Sequence, residues 1–212
     1  MKYKLLVNDA INVGGITLYR IMALSAFGPV KPGDNGGYIE GEKNLPQEGN
    51  AWVSGDAKVF GNARVFGDAW VSGDAKVCGD ARVSEDAKVY GNAKVFWDAE
   101  VFGDAEVFGD AEVSGDAKVY GNAKVSEDAK VYGNAKVFGN ARVSEDAKVY
   151  GNAEVFGDAE VFGNARVFGD AEVFGDAEVF GNARVYGNAW VSGNARVSWE
   201  CSFTPLTLTG LR

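Results

Sequence analysis

The chain has 212 residues, a formal net charge of −9, two cysteines and no histidine. The acidic balance argues against general nucleic-acid binding, and without histidine the side chain that titrates near neutral pH is missing. Cys78 and Cys201 form no metal or disulfide pattern, and no stretch approaches the roughly 20 consecutive apolar residues of a membrane-spanning helix.

Residues 1–48 form the first unit. Lys2–Val7 and Ile16–Phe27 read as two strands joined across the Gly14-Gly15 turn. Gly28–Gly37, with two prolines and several glycines, reads as a loop. Ile39 and Leu45 fall in phase with the alanine slot of the repeat that follows, which predicts a first imperfect coil over residues 38–50. The start, MKYKLLVNDA, carries lysines but no long apolar run behind them, so no secretory signal is expected.

Residues 49–198 are 25 contiguous copies of Gly-[Asp/Asn]-Ala-x-Val-x, in which the Ala and Val slots never vary. A fixed short period is the mark of a solenoid, in which each unit packs only on its neighbours. Read as a short strand, Ala-x-Val-x alternates its side chains. Ala and Val then face one way and the two variable slots the other. Gly-[Asp/Asn] is the corner. Glu85, Trp97, Glu127 and Glu145 replace the corner glycine, whereas the next slot is Asp or Asn throughout. The invariant second corner residue is therefore expected to take the left-handed backbone conformation. Residues 199–212 follow: Cys201 and Phe203 continue the inward slots, and Trp199, Phe203, Pro205, Leu206 and Leu208 read as a lid over an otherwise open sheet edge.

The hexad resembles the hexapeptide repeat of left-handed parallel β-helices, in which an aliphatic residue and a small residue two positions before it face inward. The resemblance spans residues 49–198 and implies three hexads per triangular coil. Taken with the ends, the expected fold is an all-β, single-stranded left-handed parallel β-helix with an N-terminal β cap and a short C-terminal cap. It would have about eight coils at roughly 4.8 Å, a prism on the order of 40 Å long. A second segment, GGITLYRIMALSAFGPVKPGDNGGYIEGEKNLPQEGNAWVSGDA, is similar to the start of a poorly characterised group of bacterial and prophage proteins with this β-helix. That resemblance implies a phage or prophage setting and a cytoplasmic location in a bacterial host.

Three residues per coil per slot define three faces. All 15 basic residues of the repeat lie in the slot between Ala and Val. On the basic face that slot carries Lys58, Lys76, Lys94, Glu112, Lys130, Lys148, Arg166 and Arg184. The second face, starting at Trp52, and the third, starting at Arg64, mix signs, so opposite charges one coil apart are expected to pair. A ladder of like charges is unfavourable unless answered. The seven basic residues are either neutralised by aspartates on the flanking corners or form a strip for an anionic partner. The slot after Val is rich in aromatics. On the third face it carries Phe66, Phe102, Tyr120, Phe138, Phe156 and Phe174. Contiguous exposed aromatics predict self-association into a dimer or trimer, with stacking within one chain as the alternative.

Acyltransferases and zinc carbonic anhydrases with this fold use histidine, which this chain lacks. The carboxylates recur as ladders with no distinctive pair set apart, and Cys78 is a lone thiol. The reading is a non-enzymatic scaffold or interaction protein with no cofactor and no metal, self-associating and presenting charged faces to a macromolecular partner. The alternative is a phage inhibitor that docks on a host defence or nucleic-acid enzyme through its charged ladders. Nucleic acid itself is an unfavoured partner and a membrane is not expected.

Overall fold

The computed structural model describes residues 1–198 and 207–209. Each hexad contributes one short strand, in most cases only the x-Val dipeptide, and the chain turns a corner between successive strands. Parallel pairing joins each strand to the one 18 residues on, as in Lys88↔Glu106 and Val89↔Val107, so three hexads make one coil. The result is three sheets, one of eleven strands and two of nine, on the sides of a triangular β-solenoid.

The repeat's invariance follows from the interior. Every Val from Val53 to Val197 and every Ala from Ala51 to Ala195 is buried, most of them completely. The small alanine sits next to the corner and the valine in the strand itself, and together they fill the interior. Backbone groups are satisfied between coils: Lys58 N–H donates to Ala75 O at 2.9 Å and Phe60 N–H to Val77 O at 3.1 Å.

The corner differs from the expectation. The left-handed residue is the one in the glycine slot, with φ of 63–76° at the hexad glycines and 58–61° at Glu85, Trp97, Glu127 and Glu145. The four substitutions are local strain rather than signs of a permissive slot, because a left-handed non-glycine residue costs about 1–2 kcal/mol. A Cβ at Gly121 would lie 3.1 Å from the nitrogen of Gly139 on the next coil. The invariant Asp/Asn has a different cause. Its N–H donates across coils to the corner glycine carbonyl, as Asp74 does to Gly91 at 2.8 Å. Where the slot holds asparagine, the side chain can also donate to the next corner, as Asn122 Nδ2 does to Asn140 Oδ1 at 3.2 Å and Asn140 Nδ2 to Asp158 Oδ1 at 2.9 Å.

The N-terminal unit is more ordered than the sequence implies. Strands β1 (Tyr3–Val13) and β2 (Ile16–Ala23) form an antiparallel hairpin across Gly14-Gly15, with an irregularity between Leu6 and Ala10. Strand β3 (Asn35–Ile39) begins inside the predicted loop and joins the hairpin to the basic face. Ile39 pairs with Val59, and Val65 N–H donates to Asn44 O at 2.8 Å. Ile39 and Leu45 thus occupy the Val positions, not the Ala positions. The spacing from Leu45 to Val53 is two residues longer than a hexad, and this breaks the phase inferred from the sequence.

Buried polar groups seal this end. Lys2 Nζ reaches Ala51 O at 3.0 Å, Tyr3 Oη donates to Leu45 O, and Asn44 Nδ2 donates to Ala63 O at 2.8 Å. Trp52 occupies an outward slot yet is buried, because Phe27 covers it with ring centroids 5.2 Å apart. At the other end Thr207–Thr209 pairs in parallel with Trp190–Ser192 and extends the third sheet. The predicted lid residues Trp199, Cys201, Phe203, Pro205 and Leu206 lie outside the described residues, and of Leu208 only the backbone is described.

Candidate interaction faces

The slot between Ala and Val places the seven predicted basic residues in one column. Lys58 is in register with Lys76, Lys76 with Lys94, and Lys148 with Arg166. Glu112 interrupts the column and is shared: Lys94 Nζ approaches one carboxylate oxygen at 2.9 Å and Lys130 Nζ the other at 3.1 Å. The hydrogen bond from Lys94, with the further one from Lys130, holds the Glu112 carboxyl below its ordinary range, and the same pairing pushes the Lys94 ammonium up. Lys58 Nζ donates to the backbone oxygen of Asp56 at 2.7 Å. Among the described residues, Lys76, Lys148 and Arg166 make no ion pair with a carboxylate. Five corner aspartates accept from corner asparagines of the preceding coil, as Asp80 Oδ1 does from Asn62 Nδ2 at 2.9 Å.

On the other two faces opposite charges pair one coil apart. Glu100 takes Arg82 at 3.5 Å and Lys118 at 3.0 Å. Arg142 pairs with Glu160 at 3.5 Å and Arg196 with Glu178 at 2.9 Å. Most of these side chains remain substantially open to water, so each pair is worth at most about 1 kcal/mol.

Of the six aromatics singled out on the third face, five form one continuous stack. Phe102, Tyr120, Phe138, Phe156 and Phe174 lie with successive centroids 4.8–5.0 Å apart and planes within 6°. Phe66 is separated from them by Ser84 and lies instead beneath the Arg64 guanidinium, 5.4 Å from its ring centre. The basic face carries a second stack, Tyr132–Tyr150–Phe168–Tyr186. Each ring shields its neighbours, so the ladder rings are half-buried within one chain; large apolar side chains that stand out lie outside the stacks, among them Trp97 at a corner and Trp190 in the other outward slot of the third face. Trp97 combines a left-handed backbone with 61% exposure, and its one sequence signal was the missing corner glycine.

Burial pushes the Cys78 thiol up, the nearby Lys76 opposing, which leaves it a poor nucleophile. Among the described residues no group of three or more acidic or cysteine side chains is placed to hold a metal ion, and no helix is long and apolar enough to cross a membrane.

Comparison with known proteins agrees with the architecture. The family model described as YdcK Beta solenoid repeat matches residues 57–73 and 177–193, about one coil near each end of the repeat. These segments are similar to that repeat family, and the chain is a β-solenoid. No curated protein matches it.

Proposed function

We propose that this chain is a non-catalytic scaffold or interaction protein that self-associates and presents charged faces to a macromolecular partner, in a phage or prophage setting. The supporting observation is the in-register repetition of charge and aromatic side chains along whole faces. Such a surface suits an extended partner or another copy better than a small substrate. Absolute mass in solution, measured by light scattering behind a sizing column at low and high salt, tests this. A salt-resistant dimer or trimer supports the reading, and a monomer under all conditions removes its self-association.

One observation favours a second reading. Lys148 and Arg166 have no carboxylate partner among the described residues and lie beside the Tyr132–Tyr186 stack. Cations beside aromatics fit an anionic surface of a host defence or nucleic-acid enzyme, as a phage inhibitor would need. Replacing Lys148 and Arg166 with Glu should abolish binding to such a partner while leaving the mass of the chain unchanged.

A further inference from the structure

We infer that the second face is a self-complementary surface on which two copies pack with their long axes antiparallel. This rests on the self-association proposed above and names its face and geometry. Over its last six coils the face is built from two kinds of hexad. Hexads 103–108, 157–162 and 175–180 read Gly-Asp-Ala-Glu-Val-Phe, and hexads 121–126, 139–144 and 193–198 read Gly-Asn-Ala-[Lys/Arg]-Val-Ser. On this stretch Asp, Glu and Phe always travel together, as do Asn, a cation and Ser. Along the stack the order is acidic, basic, basic, acidic, acidic, basic. Reversed, that order is its own opposite.

A two-fold axis in the plane of the interface, parallel to the strands and midway between Arg142–Val143 and Glu160–Val161, reverses the order of the coils. It keeps each slot over the same slot of the other copy. Every acidic hexad then faces a basic one. Arg142 meets the partner's Glu160, Lys124 meets the partner's Glu178, and Glu106 meets the partner's Arg196. Size is complementary about the same axis: Ser144 faces the partner's Phe162 and Ser126 faces the partner's Phe180. The surface has the matching relief. Ser126 and Ser144 lie in a shallow hollow of about 390 Å³, flanked by Phe108. Phe162 and Phe180 form a stacked pair with centroids 5.2 Å apart, of a kind to fill it.

Within one chain each of these charges already has an opposite partner one coil away, Lys124 with Glu106 at 3.6 Å, Arg142 with Glu160 at 3.5 Å and Arg196 with Glu178 at 2.9 Å. The like-charged steps between them, Lys124 to Arg142 and Glu160 to Glu178, face each other in the dimer, so each charge gains a second opposite neighbour. The basic face, with one acidic residue among seven basic ones, cannot pair with itself this way. Six coils at roughly 4.8 Å give a contact about 29 Å long, a modest interface for a specific complex, so the dimer should dissociate on dilution.

The test is mass against concentration, by sedimentation or light scattering, on the full chain. Arg142→Glu and Ser144→Phe should each weaken the dimer by about tenfold or more, because each change occurs twice across the two-fold. The paired swaps Arg142→Glu/Glu160→Arg and Ser144→Phe/Phe162→Ser should restore it. All four changes leave the Ala–Val interior untouched, so circular dichroism should stay that of the parent. Phe138→Ser, on the third face, should leave the dimer intact. A dimer indifferent to Arg142→Glu and Ser144→Phe but lost in Phe138→Ser overturns this inference and keeps self-association through the third face. Failure of the paired swaps to rescue also overturns it. A parent chain that is monomeric at the highest concentration it tolerates overturns both.

Discussion

Trp97 shows how one slot of the hexad sets local energy. The corner needs a left-handed backbone, and glycine supplies it without a Cβ penalty. Trp97 carries that penalty at φ 61°, against which stands an edge contact with Phe96 at 5.0 Å. Trp97→Gly should therefore raise the unfolding free energy by about 1 kcal/mol, read from urea denaturation. Glu112 is the residue whose ionisation matters on the basic face. Its folded pKa is depressed by Lys94 and Lys130, so its stabilising contribution is present above the ordinary carboxylate range and is lost as pH falls through the lowered folded value. An acid titration of stability should be shallower in Glu112→Gln, which at neutral pH should cost at most about 1 kcal/mol because the lysines are half-exposed.

A coil is the unit of packing. Its interior is alanine and valine alone, so one deletion leaves a gap that identical neighbours cannot fill. Val137→Ala, in the middle of the third face, should cost about 2 kcal/mol by removal of buried methyl groups and the cavity left behind; thermal unfolding gives the value directly. Removing 18 residues is a milder change than removing two methyls. Deleting residues 105–122 rejoins the corner Asp104 to Ala123 in phase and restores the three-hexad register. The product should be a soluble rod one coil shorter, seen as a smaller hydrodynamic radius. Aggregation of that variant would mean that the coils are not interchangeable. The deletion also removes Glu106 and Phe108, so it takes one opposed pair from each half of the antiparallel contact.

For the whole molecule, the three faces have different characters although one repeat builds them all. The basic face is a cation column broken once, the third face carries the long aromatic stack, and the last six coils of the second face use two hexad types in an order that is its own complement. Dimerisation should follow the second face. The mass of the parent chain should therefore fall on dilution, and that of Ser144→Phe should fall at a concentration about tenfold or more higher.

The period of six, the buried Ala and Val, the corner positions and the allocation of charge to the outer slots were all legible in the sequence, because each is a local consequence of strand alternation repeated without error. The side chains of each column could be listed once three hexads per coil was assumed. Three things depended on tertiary structure. Which corner residue turns left-handed was decided by backbone contact with the next coil, since a Cβ there meets the neighbouring corner at about 3 Å. The phase of Ile39 and Leu45 was decided by two extra residues before Val53, whose effect shows only in the cross-coil pairing. The accessibility of the aromatics was decided by stacking between residues 18 apart. A ring that reads as exposed in an alternating pattern becomes half-buried when other rings sit about 5 Å above and below it, and that proximity belongs to the coiled chain, not to any stretch of its sequence.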